Sequence, residues 1–181
     1  IWSADKNSIG VNDPVKLTWT SGQNITFEKI ISLDENYLFS IDQRVINNSG
    51  LSFDLYPYGL SKRQGIPEMQ NFFILHEGPL SITDGVLEEY DYDDLKDDKK
   101  IKHSSVGGWI GMTDKYWQTA IIPNQKEPVQ QTYSYSFVDT VDNFQTDIVG
   151  EKIFVSDNVS ISHNFKIFAG PKIVNIIDRY M

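Results

Sequence analysis

The chain has 181 residues and a formal net charge of −9, with 16 Lys and Arg against 25 Asp and Glu. This length and a hydrophobic fraction of 40% favour one domain with one sizeable core, while the acidic balance argues against a nucleic-acid partner, because phosphate binding depends on clustered Lys and Arg. The absence of cysteine excludes disulfides, thiolate metal ligands and cysteine nucleophiles.

The first third of the chain predicts β-strands, because apolar and polar residues alternate with a period of two. The predicted strands cover residues 15–20, 25–33 and 37–47. In the second of these, Ile25, Phe27, Lys29 and Ile31 form one set of the alternation. The Asn-Asn-Ser-Gly cluster at 47–50 is a turn signal, so we expect the chain to reverse there into a hairpin with residues 51–60.

The rest of the chain continues in the same way and ends on a different period. Further strands are predicted at residues 72–76, 80–83, 86–90, 101–105, 109–112, 117–122, 132–138, 144–149, 152–155 and 159–168. After them, Ile173, Ile176, Ile177 and Tyr180 follow helical spacing, and Pro171 suits a first helical turn. We therefore predict an all-β domain over residues 1–170 and the start of a helix over 171–181.

The densest local signal is the segment GGWIGMTDKYW at residues 107–117. Its glycines permit unusual backbone angles or close approaches, and Trp109 and Trp117 can each bury a large apolar surface. Such a segment forms either the packed centre of a β domain or the wall of a binding cleft. A cleft of this kind would use Trp109 and Trp117 together with Tyr56, Tyr58 and His76.

The densest charge lies between residues 88 and 102. This stretch has no glycine, which argues against a calcium-binding loop, so we expect a solvated loop or a short exposed helix. Its acidic residues are a candidate partner surface: Glu88, Glu89, Asp91, Asp93 and Asp94. Elsewhere, Arg63 and Asp114 are predicted to pair across a turn.

Motifs of enzymes and cofactor sites are missing from the sequence. There is no zinc-protease helix motif, no nucleophile elbow, no P-loop and no dinucleotide fingerprint. We therefore expect no catalytic residue, no metal and no cofactor. His76 and Glu77 are adjacent, so on a strand their side chains would point to opposite faces.

Four segments in one order carry a family resemblance: LYPYGLSKRQGIPE at 55–68, FFILHEGPL at 72–80, GGWIGMTDKYWQTAIIP at 107–123 and FAGPK at 168–172. Together they resemble the large periplasmic domain of the YidC (Oxa/Alb/YidC) family of bacterial inner-membrane protein insertases. This resemblance implies a β-supersandwich, the fold shared with galactose mutarotases, closed by helical segments that lead to the membrane. It also implies more sequence upstream than Ile1 supplies.

The functional expectation from this resemblance is a periplasmic, non-enzymatic accessory domain that scaffolds insertion. Its implied partners are the Sec translocon accessory proteins SecD and SecF and nascent membrane proteins, and no small-molecule substrate is expected. The alternative is a carbohydrate-binding or mutarotase-like domain. The two differ in geometry, because a sugar site needs its aromatic side chains to converge on an open concave surface.

Overall fold

The structure is a computed structural model that describes residues 1–66 and 76–180. Along these residues the strands are β1 Ser3–Ala4, β2 Val15–Thr20, β3 Ile25–Leu33, β4 Leu38–Asn47, β5 Phe53–Leu55, β6 Tyr58–Gln64, β7 Gly78–Thr83, β8 Val86–Glu89, β9 Lys100–Val106, β10 Trp109–Thr113, β11 Trp117–Ile122, β12 Pro128–Val138, β13 Val141–Gly150, β14 Ile153–Val155 and β15 Val159–Pro171. The helices are α1 Tyr92–Asp98 and α2 Val174–Tyr180.

The larger layer is a nine-stranded antiparallel sheet in the order β1-β2-β3-β4-β15-β11-β10-β7-β8. Strand alternation gives this sheet one apolar inner face, on which Ile31, Ile41 and Phe165 are cross-strand neighbours. The central strand is β15, which pairs with β4 on one side and with β11 on the other.

The smaller layer is a four-stranded sheet in the order β6-β13-β12-β9. It lies over β7, β10 and β11 of the larger sheet, and Tyr133, Phe144 and Ile148 pack there against Ile110 and Ile121. A two-stranded ribbon of β5 and β14 stands beside it. The core of the smaller sheet also reaches Ile31 of β3 and Ile41 of β4. Further along these two strands, at Phe27 and Val45, the inner face borders a groove.

Helix α1 belongs to the core as well as to the surface. Tyr92 and Leu95 are 1% and 0% exposed, and Tyr92 packs edge-on against Phe144. Burying each of these side chains contributes about 2 kcal/mol. A capping box between Asp91 and Asp94 fixes the start of the helix. The expectation of a wholly solvated segment is thus corrected, because the acidic face of the helix is exposed while its apolar face is buried.

Helix α2 covers the outer face of the large sheet. Leu38, Phe168, Ala120 and Leu80 form a buried cluster on this face, and Ile176, Ile177 and Tyr180 pack against it. The predicted C-terminal helix is confirmed, but it begins at Val174. Pro171 is still the end of β15, because pairing with Trp117 of β11 extends to that residue.

The hairpin predicted after residue 47 is wrong. Both edges of β4 are occupied, by β3 and by β15, so the following chain pairs with β14 instead. Asn47 fixes this departure: its buried amide donates to the carbonyl oxygens of Leu51, Val155 and Ser156 at 2.7, 3.2 and 3.0 Å. The turn signal at residues 47–50 correctly marked the end of β4. The side-chain hydrogen bonds of Asn47, however, hold the following chain near Val155 and Ser156 and not beside β4.

The other predicted strands mostly recur with shifted ends, and the all-β sandwich is confirmed. Predicted strands 15–20, 25–33 and 117–122 match β2, β3 and β11. The predicted strand at 72–76 lies outside the described residues except for His76, which is not in a strand.

Candidate functional site

The segment at 107–117 is divided between core and surface. Gly108 has φ +72°, and a Cβ there would lie 2.1 Å from the carbonyl oxygen of Ile82. Trp109, which follows it, is 8% exposed and belongs to the cluster under α2, whereas Trp117 is 59% exposed. The sequence left open whether this segment forms the packed centre of the domain or the wall of a cleft. Trp109 lies in the packed centre, whereas Trp117 does not.

The five residues proposed for an aromatic cleft do not form one site. Tyr56 and Tyr58 line a groove beside β3 and β4, whereas Trp117 lines a separate pocket of about 150 Å³ with Arg63 and Asp114. Trp109 is in the core, and His76 precedes β7, with its Nε2 3.1 Å from the carbonyl oxygen of Pro79. The convergence that a sugar site would require is therefore absent from this set of residues.

The groove beside Tyr56 and Tyr58 lies over the inner face of the large sheet at Phe27 and Val45, and Tyr58 at the start of β6 borders it. Its volume is about 310 Å³, and we call it the open groove. Phe27, Val45 and Ile161, from β3, β4 and β15, form its floor, while Leu55, Tyr56, Pro57, Tyr58 and Ile153 form one wall. The volume lies at the lower end of the range for ligand pockets.

Two tryptophans form the opposite wall of the open groove. The Trp19 ring stacks on Phe27 with centroids 5.2 Å apart, and Trp2 tilts against Trp19 at 6.2 Å. Lys29 holds its ammonium group 5.2 Å from the centroid of the Trp2 ring, a cation–π contact. Both tryptophans are partly exposed, so the wall presents aromatic surface to solvent.

Three polar side chains lie side by side next to the apolar floor of the open groove. Lys29, Gln43 and His163 are direct cross-strand neighbours on β3, β4 and β15. His163 Nε2 is 3.2 Å from a carboxylate oxygen of Glu127, while its Nδ1 is buried without a hydrogen-bond partner among the described residues. At the rim, partial burial raises the pKa of the Tyr58 phenol, and the nearby charge of Asp147 raises it further.

Glu28 and Arg44 also contribute to the lining of the open groove, but their charged ends are directed to the other face of the sheet. By strand alternation they point away from Phe27 and Val45, and Glu28 forms ion pairs there with Lys16 and Arg44. Lys29 thus brings to the open groove a positive charge that contacts the Trp2 ring and has no carboxylate partner among the described residues.

Sequence reasoning missed Lys29, Gln43 and His163, although the sequence contained a signal for them. Each is a polar residue in the inward apolar series of its strand. The apolar neighbours in these series are Ile25, Phe27 and Ile31 for Lys29; Phe39, Ile41 and Val45 for Gln43; and Ile161, Phe165 and Ile167 for His163. A polar residue at an inward position of a strand indicates either a buried network or a site. The register that aligns all three could not be read from the separate strands.

The acidic residues chosen as a partner surface lie at one edge of the large sheet. Glu88 and Glu89 are on the edge strand β8, and Asp91, Asp93 and Asp94 are at the start of α1. All of them except the half-buried Glu88 are exposed. Asp91 also lies 3.9 Å from His76 Nδ1. The result is a negatively charged corner that joins a sheet edge to a helix start.

The predicted pair of Arg63 and Asp114 is present, with Nη1 and Oδ1 2.5 Å apart. It joins β6 of the small sheet to the β10–β11 turn of the large one, so it links the two layers and does not close a single turn. Tyr92 is buried beside this pair. Its burial raises the pKa of the phenol to about 12, although the positive charge of Arg63 lowers it. This arrangement is that of a structural ion pair.

The described part of the chain has neither a cluster of candidate metal ligands nor a helix that could span a membrane. Residues 1–66 and 76–180 contain no group of three or more His, Cys, Asp and Glu side chains that could hold a metal ion. None of the helices there has the length and apolarity needed to cross a membrane.

Comparison with known proteins gives a family match over the whole chain. A family model described as YidC periplasmic domain matches residues 1–181. The membrane protein insertase YidC of Pelagibacter ubique (strain HTCC1062) is 40% identical over 182 residues, covering 99% of this chain and 32% of that protein. The insertase of the same name from Rickettsia canadensis (strain McKiel) is 36% identical over 181 residues, with the same coverage. The chain therefore spans about a third of the length of these relatives.

Two solved structures share the fold at low identity. The Slr1438 protein from Synechocystis sp. PCC 6803 has a TM-score of 0.50 at 9% identity, covering 94% of this chain and 66% of that chain. A TPR-domain containing protein from Parabacteroides distasonis has a TM-score of 0.51 at 9% identity, covering 94% of this chain and 34% of that chain. At this identity the likeness concerns the arrangement of strands alone.

Proposed function

This chain belongs to the YidC periplasmic domain family, and from this premise we propose that it is a periplasmic accessory domain of a membrane protein insertase. In this role it docks protein partners during insertion and catalyses no reaction. The observation that carries the proposal is the family match over residues 1–181, together with relatives named as insertases that are about three times as long. A domain that makes up a third of such a protein can assist insertion without containing the membrane-embedded machinery.

The negatively charged corner of β8 and α1 is the docking surface that we propose. Its carboxylates are exposed, and β8 has one edge without a strand partner among the described residues. An unpaired edge can accept a further strand, and a charged rim speeds and orients association. By family resemblance the proposed partners are SecD, SecF and nascent membrane proteins.

The test is retention of the purified chain by immobilised SecD–SecF assemblies at low and high salt. The triple variant Glu89→Lys, Asp93→Lys and Asp97→Lys reverses the charge of two exposed carboxylates of the corner and of Asp97 further along α1, and leaves the capping box of Asp91 and Asp94 intact. The matched control Glu35→Lys, Asp42→Lys and Glu151→Lys makes the same change in net charge at exposed positions elsewhere. We expect retention by the wild type and the control, and its loss in the corner variant. Absence of retention of the wild type at low salt would overturn direct docking.

A further inference from the structure

The outer face of the smaller sheet is polar and carries three exposed lysines. Ile101, Tyr133 and Phe144 point into the core, so their neighbours along each strand point away from the larger sheet. The elements α1, β7, β10 and β11 pack on the inner side of this sheet. We call the outer surface the lysine face; its residues are Leu60 and Lys62 on β6, Gln145 and Asp147 on β13, Thr132 and Ser134 on β12, and Lys100 and Lys102 on β9.

The strand register places these residues in two adjacent rows across the sheet. The first row is Lys62, Gln145, Ser134 and Lys100, and the second is Leu60, Asp147, Thr132 and Lys102. The ends of the first row are three strand spacings apart, which is about 14 Å. The lysine face is therefore an open platform with ammonium groups at both edges and amide and hydroxyl groups between them.

The three ammonium groups are not neutralised by neighbouring carboxylates. Among the described residues, Lys62, Lys100 and Lys102 form no ion pair, and Lys102 Nζ donates to the Gln130 amide oxygen at 3.2 Å. The one carboxylate of the lysine face, that of Asp147, belongs to a residue that is 7% exposed. The lysines and Asp147 together contribute +2, so the rest of the chain carries −11. This separation of charge orients the protein towards an anionic surface.

The composition of the lysine face selects among anionic partners. Lysine and serine are depleted at protein interfaces, which use aromatic side chains and arginine instead. The two rows contain no aromatic ring on which a sugar could stack. The phosphate oxygens of lipid headgroups accept hydrogen bonds from ammonium, amide and hydroxyl donors alike. A bilayer surface is also wide enough to meet both edges of the lysine face at once.

We propose that the lysine face binds the anionic phospholipid headgroups of a membrane surface. The three lysines contact phosphates, Gln145 and Ser134 hydrogen-bond to headgroups between them, and the acidic remainder of the chain faces away. Each lysine near an anionic membrane raises the affinity about fivefold, so binding is reversible and weakens with salt. The inference rests on the proposed function for the presence of a bilayer, because attachment to a longer membrane protein raises the effective concentration of lipid.

The experiment is flotation of the 181-residue chain with vesicles at low and high salt. One set of vesicles contains phosphatidylethanolamine and phosphatidylglycerol, and the other contains phosphatidylcholine alone. The face variant is Lys62→Gln, Lys100→Gln and Lys102→Gln. The matched control is Lys126→Gln, Lys152→Gln and Lys166→Gln, which makes the same change in net charge at exposed positions elsewhere. Thermal unfolding of each variant checks that it folds.

We expect the wild type to float with the anionic vesicles at low salt, and to bind much less at high salt or to phosphatidylcholine. The face variant should lower the partition coefficient about a hundredfold, the product of three lysine contributions, while the control stays near the wild-type value. Equal losses in both variants would show that net charge alone governs binding and would overturn the site. Binding of polyglutamate by these lysines without any binding of vesicles would overturn the ligand class, and so would a wild type that does not float at low salt.

An introduced thiol reports which face meets the bilayer, because the chain contains no cysteine. Ser104→Cys lies beside the lysine face on β9, and Ser162→Cys lies on β15 of the larger sheet, both at exposed positions. A polarity-sensitive fluorophore should brighten on anionic vesicles at position 104 and not at 162, and the reverse would overturn the orientation. The face variant should keep its retention by SecD–SecF, since the negatively charged corner is unchanged, so this inference and the proposed function can fail separately.

Discussion

At the scale of single residues, Tyr92 couples the stability of the fold to alkaline pH. Its phenol is 1% exposed, and burial raises its pKa from 10.0 to about 12. The folded state holds the phenol proton more tightly than the unfolded chain does. The protonated phenol therefore stabilises the folded state fully below pH 10, and this stabilisation is lost as the pH rises towards 12. A shift of this size corresponds to about 3 kcal/mol. Burial raises the pKa of Tyr133 in the same direction.

The variant Tyr92→Phe removes the titrating hydroxyl and keeps the ring against Phe144. Since that hydroxyl has no hydrogen-bond partner among the described residues, its loss at neutral pH should change the free energy of unfolding by less than about 1 kcal/mol. Between pH 10 and 12 the variant should lose stability less steeply than the wild type. Urea titrations across pH measure both effects, with the exposed Tyr116→Phe as control. Parallel pH profiles for wild type and variant would contradict the assignment.

Asn47 is the residue whose removal should cost most among the polar side chains of the strands. Its amide serves three carbonyl oxygens, and its own carbonyl accepts from the Ser49 hydroxyl at 2.7 Å. Asn47→Ala leaves these groups unsatisfied, so we expect a loss of about 2–4 kcal/mol in the free energy of unfolding. Asn48→Ala, at the exposed neighbouring position, should change it by less than about 0.5 kcal/mol. Denaturant unfolding of both variants decides the matter, and equal midpoints would refute this role.

The sequence predicted residue environments well where a simple alternation held. Ile25, Ile31 and Ile41 are inward, as period two requires, and the Arg63–Asp114 pair was expected. Lys29 was counted in the inward set of its strand, but neither Lys29 nor Gln43 nor His163 was predicted to belong to a site, although each interrupts an apolar series. Only the register between strands, which depends on contacts distant in sequence, turns three exceptions into one row.

At the scale of elements, the β10–β11 hairpin depends on the close approach of two backbones at Gly111. A Cβ at this position would lie 1.7 Å from the carbonyl oxygen of Thr119. Gly111→Ala should therefore separate the two strands and destabilise the chain by about 3 kcal/mol or more, since backbone cannot yield as a side chain can. Gly22→Ala is the control, because its Cβ would meet no atom within 4 Å. Far-UV circular dichroism and denaturant midpoints measure the difference, and a wild-type midpoint for Gly111→Ala would contradict it.

The elements that the sequence mispredicted share one cause. The hairpin after residue 47 and the helix start near Pro171 were both inferred from residues that usually turn or start an element, yet strand pairing decided both. The turn residues at 47–50 could not reveal that β3 and β15 already occupied both sides of β4. Helix α1 illustrates the same limit, since its charges were evident whereas the burial of Tyr92 and Leu95 depended on the layers above and below.

At the scale of the whole molecule, protection against hydrogen exchange should follow position in the large sheet. The central strands β4, β15 and β11 have hydrogen-bonded neighbours on both sides, whereas β1 and β8 are its edges. We expect amides of β15 to exchange most slowly and those of β1 and β8 most rapidly. Hydrogen exchange followed by mass spectrometry of peptic fragments measures this order. Protection of β8 equal to that of β15 would show that its free edge is covered.

The class of fold was readable from the sequence, while its connectivity was not. Alternation over many short segments predicts a sandwich, and this is confirmed. The order of strands depends on pairings such as that of β4 with β15, which joins residues more than a hundred positions apart along the chain. No local pattern encodes such a partner, so the open groove between the sheets could only be seen in three dimensions.

The central position of β15, which follows all the other described strands in the sequence, has a consequence for how the domain folds. During folding, β2, β3 and β4 can pair with one another early, and so can β10 and β11, but among the described strands the two halves of the large sheet join through β15, at Val159–Pro171. Until that strand is in place, β4 and β11 each present an open edge, which is the kind of surface that pairs with other chains. Pairing of β15 is therefore the step that closes the sheet, and a chain cut before residue 159 is left with two half-sheets that each have an open edge.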